Sequence, residues 1–333
     1  MAAKEPLVIS FSSVQLFHTC PWQWYLRYVA RIRAIGQEAG RPLEFGNAFH
    51  QAQAVYWAGQ GDRAERLGLA LALWNDVSTG LAWEDRYLGR VLLTGYAVRW
   101  ADDNFHTGTR PLAERRVRVP VLDADNKPDP ELLLEAAMDV EAWDDQGRRL
   151  LVEHKTTTQD LQAAAYWKRI ENSLQASTYF YVAAQLGAPV QYLIWDAIRA
   201  PRMKRALATP IERREFYVRG DAKGRPKPGT RLADEDPAAF EARVLESVVE
   251  DPEAHFQRRT FTRTEAQLYR AQCDLWSTGR LMLDVIARGG AAPRIEDSCD
   301  KYGRPCDYKP ACWGGADLAD PKLYRISTRR AQQ

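Results

Sequence analysis

The sequence predicts an α/β domain with a mixed sheet and a large helical insertion or lid, and three observations predict it. Helical apolar periodicity fills the first third of the chain and returns near its end. A strand-like stretch with turn-rich punctuation begins at Ala113. One further strand pattern then follows a helix, so helices give way to a three-strand meander and then to helix, strand and helices.

The elements follow in order. Ser12 to Val29 reads as two short helices, the first opened by a capping box of Ser12 and Gln15, the second by Pro21 at its first position. Trp22, Trp24, Tyr25 and Tyr28 load that second helix with aromatics, and core packing accounts for them better than base stacking. Helical patterns run from about Leu43 to Gly59, Asp62 to Ser78 and Leu81 to Asp103 with no proline inside. The strands are ERRVRVPVL, ELLLEAAMDVEAW and RRLLVEHKTT, separated by DADNKPDP and DDQG. A helix (Gln159 to Leu186), a strand (Val190 to Ile198), a basic hairpin-like stretch (Ile211 to Arg219) and helices over Pro237 to Val249 and Thr264 to Arg288 complete the chain, without internal repeats.

Composition narrows the function classes. With 333 residues, 45% apolar and 27% charged, the chain buries a core and is neither disordered, collagenous nor a coiled coil. Lys plus Arg number 46 against 44 Asp plus Glu, which excludes a uniformly basic nucleic-acid coat and makes any basic surface local. Arg199 to Arg231 is such a place, with eleven Lys and Arg against three acids for a local charge of +8, a composition suited to neutralising phosphates. Tyr217 and Trp195 nearby could stack on unpaired bases. No stretch reaches the ~20 apolar residues of a membrane span; the best, Tyr179 to Trp195, is interrupted by Gln185, Gly187, Pro189 and Gln191. The opening MAAKEPLVISFSS has no signal-peptide pattern, so a cytoplasmic protein is expected.

Five cysteines form an odd, sparse set unsuited to a disulfide framework. Cys299, Cys306 and Cys312 fall in a Gly/Pro-rich segment as C-x6-C-x5-C, and Cys20 is the natural fourth ligand. Cys273 sits in a long amphipathic helix, where a small buried hydrophobe is expected. The absence of two close C-x2-C pairs tilts the choice from zinc toward an iron–sulfur centre.

The chemistry concentrates in one hairpin. Asp145, Gln146 and Gly147 make a three-residue loop with glycine in the left-handed position. Pairing 144 with 148 then sets Asp139 opposite Glu153, where two like charges destabilise a sheet unless a cation lies between them. Lys155 projects to the same face as Glu153 by the period of two. Hard oxygen ligands of this kind suit Mg²⁺ or Mn²⁺, and the ion could act on a phosphodiester. Alone, the pattern also fits a surface ion pair.

Asp139 with Glu153-His154-Lys155 resembles the core signature of the PD-(D/E)XK nuclease superfamily, with Met138 in place of the family proline. Four further segments resemble its RecB-like branch: SFSSVQLFHTCPWQWYLRY near the N-terminus, GNAFH (Gly46 to His50), Gln175-Ala-Ser-Thr-Tyr179, and the cysteines, which are similar to the four-cysteine [4Fe–4S] staple of AddB-like and CRISPR-adaptation nucleases. The usual C-x2-C-x5-C is C-x6-C-x5-C here, which leaves Cys299 the least certain ligand.

The resemblance runs from about Ile9 to Cys312 and implies a restriction-endonuclease-like core with a mixed central sheet flanked by helices, a helical N-terminal region and a C-terminal iron–sulfur clasp. A single nuclease domain over 1–333 is expected, with helices carrying Cys20 and His50 in 9–110, the catalytic sheet and basic segment in 111–230, and the last helices and cysteines in 231–333. It implies that His50, Asp139 and Glu153 bind the divalent ion with the backbone carbonyl of His154 as a further donor, that Lys155 is catalytic, and that Gln175 and Tyr179 approach the substrate and site. Glu114 is an additional candidate carboxylate. The expected activity is a metal-dependent DNA exonuclease on single strands or ends, independent of sequence, in bacterial or phage recombination and repair beside a helicase or recombination partner. A non-catalytic iron–sulfur scaffold and a zinc-stabilised DNA-binding protein are the alternatives.

Overall fold

The computed structural model describes residues 5–35, 41–107, 115–219, 222–300 and 305–327. Glu114 lies outside them. The chain opens with β1 (Leu7–Ser10), α1 (Phe11–Thr19) and α2 (Pro21–Trp24), which widens into a π-helical turn (Tyr25–Val29) before β2 (Ile32–Ala34). Three long helices follow, α3 (Arg41–Ala58), α4 (Arg63–Val77) and α5 (Trp83–Arg99). The sheet region comprises β3 (His106–Thr107), β4 (Arg115–Leu122), β5 (Pro128–Met138), β6 (Val140–Trp143) and β7 (Arg149–Thr157). Then come α6 (Ala164–Glu171), α7 (Leu174–Gln185), β8 (Tyr192–Arg199), the hairpin β9 (Phe216–Arg219) and β10 (Ala222–Pro226), α8 (Pro237–Glu250), α9 (Pro252–His255), β11 (Phe256–Phe261), α10 (Glu265–Ala287), α11 (Lys309–Trp313) and β12 (Tyr324–Ile326).

The central sheet has the order β11-β8-β7-β6-β3 and is mixed: β7 and β8 run parallel, and the other neighbours run antiparallel. Alternation along β7 divides its side chains between two cores. Leu151 packs with α7 and α10 residues such as Val182 and Leu275, while Leu150 and Val152 pack with Phe49, Leu92 and Val244 from α3, α5 and α8. A second sheet has the order β1-β5-β4, with β5 parallel to β1 and antiparallel to β4. Among the described residues no helix is long and apolar enough to cross a membrane.

Several elements differ from the sequence reading. ELLLEAAMDVEAW is two strands in two sheets, broken at Asp139, where the carboxylate accepts the backbone N–H of His154 at 2.9 Å. The helix expected over 159–186 is α6 and α7. Thr157 and Asp160 accept the backbone N–H groups of Gln159 and Gln162 in local turns that compete with helix, and Ser173 is extended (φ −68, ψ 122). The cap of α1 is Ser10, accepting from Ser13 at 3.2 Å, rather than Ser12, because Leu7–Ser10 is held as a strand against β5 until the helix begins. Cys273 is only half-buried: the inward stripe of α10 runs through Ala271, Leu275, Met282 and Val285, and Cys273 falls at its margin. Trp24 is core, 1% exposed, with its indole N–H donating to Ser13 at 2.9 Å.

Candidate active site

The β6–β7 hairpin is built as its turn residues dictate. Gly147 takes φ +70 and donates to the Asp144 carbonyl at 3.0 Å, while the Asp144 carboxylate accepts from the backbone of Gln146 and Arg148 and from the Tyr192 hydroxyl. The register Val140 with Val152, extended one step, sets Asp139 level with Glu153. Glu153 is 3% exposed. Its carboxylate meets the Lys155 ammonium and accepts from Gln175 Nε2 at 2.8 Å, and Gln175 in turn donates to the Tyr179 hydroxyl at 3.0 Å. Gln175 and Tyr179 are one turn apart on the face of α7 that closes over β7.

His50 arrives from a distant helix. Its Nδ1 lies 3.8 Å from Asp139 Oδ2. One turn earlier, Gly46 lets α3 approach β7 closely, for a β-carbon there would sit 3.1 Å from Thr156 Oγ1. Burial, reinforced by the His154 and Lys155 charges, pushes the His50 pKa down to about 3, so the imidazole is neutral, as a metal ligand must be. Burial alone would lower the Lys155 pKa, but Glu153 and then Asp139 outweigh it and hold the group above its ordinary range as an ammonium. That ammonium also lies 5.4 Å from the centre of the Trp195 ring.

The His154 imidazole lies on the face of β7 opposite Glu153 and Lys155, its ring 6.4 Å from that of His50. It is 2% exposed, with Nδ1 3.3 Å from Asp196 Oδ2 and 3.4 Å from Gln53 Nε2. Asp196 is fully buried beside it on β8 and also meets the Tyr96 hydroxyl at 2.6 Å and Arg258 Nε at 3.0 Å. Burial would raise the Asp196 carboxyl, yet Arg258 and then His154 hold it below the usual carboxylate range. This network under the site was missed from sequence. An aspartate inside the apolar run YLIWDAI was the available signal.

The structure thus brings together His50, Asp139, Glu153, Lys155, Gln175 and Tyr179. Among the described residues no three His, Cys, Asp or Glu side chains form a ready-made metal cage. His50 and Asp139 are the pair in contact, and Glu153 is engaged by Lys155 and Gln175. The donor chemistry fits a divalent ion: two carboxylates and a neutral imidazole. At the other end of the chain, burial raises the Cys306 and Cys312 thiols, and the nearby Cys20 and Cys299 raise both further. The Cys306 backbone donates to the Cys299 carbonyl at 2.7 Å. The basic segment is partly neutralised, with Lys227 3.3 Å from Glu215 within it and Arg205 3.7 Å from Asp234 just beyond it. Trp195 is 5% exposed and has no free face for stacking, whereas Tyr217 is exposed.

The family model of the PD-(D/E)XK nuclease superfamily matches residues 8–313. The chain belongs to that superfamily. Members of the PD-(D/E)XK superfamily are nucleases that hydrolyse phosphodiesters and usually use Mg²⁺ or Mn²⁺. No curated protein sequence matches the chain. Two of the solved structures similar to it are the following. One, described as SSO0001, is 12% identical with a TM-score of 0.23, covering 74% of this chain and 78% of its own. The other, a phage-related exonuclease from Haemophilus somnus 129PT, is 8% identical with a TM-score of 0.31, covering 72% of this chain and 95% of its own. At those scores neither likeness carries an argument.

Proposed function

We propose that this PD-(D/E)XK protein is a divalent-metal-dependent deoxyribonuclease, acting as an exonuclease on single strands or DNA ends without sequence preference, in bacterial or phage recombination and repair. One observation carries the reading: a buried Glu153 level with Asp139, with the Lys155 ammonium on one side and the neutral His50 beside Asp139. His50, Asp139, Glu153 and the His154 carbonyl would hold Mg²⁺ or Mn²⁺, which when bound lowers the pKa of water and offsets phosphate charge.

The remaining work falls to side chains. Glu153 orients Lys155, whose retained positive charge suits it to stabilise an oxyanion developing on the phosphate. Gln175 and Tyr179 fix Glu153 from the α7 side and so fix where that charge points. The Asp139 carboxylate is oriented by the His154 N–H, and the buried Asp196 network anchors the strand on the opposite face.

The four thiols Cys20, Cys299, Cys306 and Cys312 would hold a [4Fe–4S] cluster clasping the N-terminal helices to the C-terminal tail. Supporting it are the Cys306 and Cys312 thiols, raised by burial and raised further by the neighbouring Cys299 and Cys20, an arrangement costly as bare thiolates and relieved by a bound cation centre. The deciding experiment is degradation of end-labelled single- and double-stranded DNA with Mg²⁺ or Mn²⁺, with Lys155→Ala as control. Cleavage that Lys155→Ala abolishes is expected. Undiminished cleavage by that variant would refute the assignment.

A further inference from the structure

On the face of β7 that carries Lys155, a groove of about 520 Å³ opens beside the carboxylate pair. Lys155 and Gln175 form its inner end. Tyr166 and Arg169 from α6, Ser173 at the α6–α7 junction and Phe11 at the start of α1 form its walls. Two positive side chains line it and no acidic one does, although the chain as a whole has nearly as many acids as bases. Arg169 is exposed, its guanidinium lies 5.4 Å over the Tyr166 ring, and among the described residues it pairs with no carboxylate.

We propose that this groove binds one unpaired nucleotide next to the scissile phosphate, with Arg169 clamping the backbone phosphate and Phe11 and Tyr166 walling the base. The inference rests on the nuclease reading of the adjacent site and deepens it by naming the strand form. Three physical points carry it. A volume of about 520 Å³, within the ~300–1,000 Å³ range of small-ligand sites, accommodates a single nucleotide. An anion is favoured at Arg169, which meets no carboxylate among the described residues, while Lys155 at the inner end is already held by Glu153. Phe11, half-buried in the lining, offers an apolar aromatic wall that accepts any base, in keeping with sequence-independent binding. None of residues 199–231 lines this groove, so the two sets of phosphate contacts are separable by mutation.

The test uses the full chain with Mg²⁺ and two end-labelled probes, a single strand and a blunt duplex of the same sequence, across a range of salt concentrations. Arg169→Ala should raise KM for the single strand about tenfold and flatten the salt dependence by ~0.7, the slope of one phosphate contact on single strands. Arg169→Lys should restore most of the slope and part of the KM. Ser173→Trp, which fills the groove without removing a side-chain cap, should abolish single-strand cleavage while the circular dichroism spectrum and melting temperature stay unchanged. Wild-type KM and salt slope in Arg169→Ala, in a chain that cleaves, would overturn the groove and leave the nuclease reading intact. So would equal losses on single strand and blunt duplex, which would remove the unpaired nucleotide. A wild-type chain that cleaves neither probe would refute the nuclease reading, and the groove assignment with it.

Discussion

Lys155→Met deletes the ammonium that faces Glu153 while keeping most of the side chain's volume. Glu153 is 3% exposed, so the carboxylate left behind has no cation and little water. Breaking a buried ion pair from one side costs about 3–5 kcal/mol. Two features reduce that here: the Lys155 side chain is 33% exposed, and Gln175 still donates to Glu153 at 2.8 Å. A loss of about 2–3 kcal/mol is therefore expected. At roughly 2 °C per kcal/mol for a chain of this size, the melting temperature should fall by about 4–6 °C. Glu153→Gln strands a more hydrated ammonium and should cost less, about 1–2 kcal/mol. The double variant removes both charges and should return to within about 1 kcal/mol of wild type, because the two losses share one interaction. Cleavage should be absent in all three. The assay is melting by circular dichroism in EDTA, which removes stabilisation by the divalent ion, with cleavage measured separately in Mg²⁺. A double variant whose destabilisation equals the sum of the singles would refute the coupling and the placement of Lys155 on Glu153.

Gly46→Ala should push α3 away from Thr156 and displace His50, lowering kcat several-fold. Thr156→Ala in the same chain should restore it, and failure of that rescue would count against the contact. The Glu235 carboxyl, held down to about 2 chiefly by Arg243, has a folded pKa below its unfolded value. Its stabilisation is thus present above the ordinary carboxylate pKa of about 4 and lost as pH falls toward 2. The melting difference between wild type and Glu235→Gln should be flat from pH 5 to 8 and shrink below pH 4. Anaerobically purified protein should be brown with about four irons per chain. Ser substitution of Cys20, Cys306 or Cys312 should bleach it while Cys273→Ser does not, and stoichiometric zinc under iron-replete conditions would overturn the cluster alone. Neutralising Lys204, Arg205, Arg213 and Arg214 should flatten the salt dependence of single-strand binding by ~0.7 for each phosphate no longer neutralised; because Arg205 already lies near Asp234, its share should be the smallest.

The hairpin chemistry was legible in the sequence because it is local. A three-residue turn ending in Gly147 fixes the register, and a period of two then places Asp139, Glu153 and Lys155 with no information from the rest of the chain. The shared helix face of Gln175 and Tyr179 was legible for the same reason. That this face closes on Glu153 was not, since nothing within α7 names the strand it covers. The break at Asp139 was hidden because residues 131–143 carry an unbroken strand pattern, and only the pairing of β5 with β1 and β4, and of β6 with β7, pulls the two halves into different sheets. β1 and β11 were invisible as short segments whose partners lie far along the chain. The GNAFH resemblance joined His50 to Asp139, but only the tertiary structure supplied the route, the close approach of Gly46 to Thr156, and decided that the His154 imidazole turns to Asp196, because adjacent residues of one strand must face opposite cores.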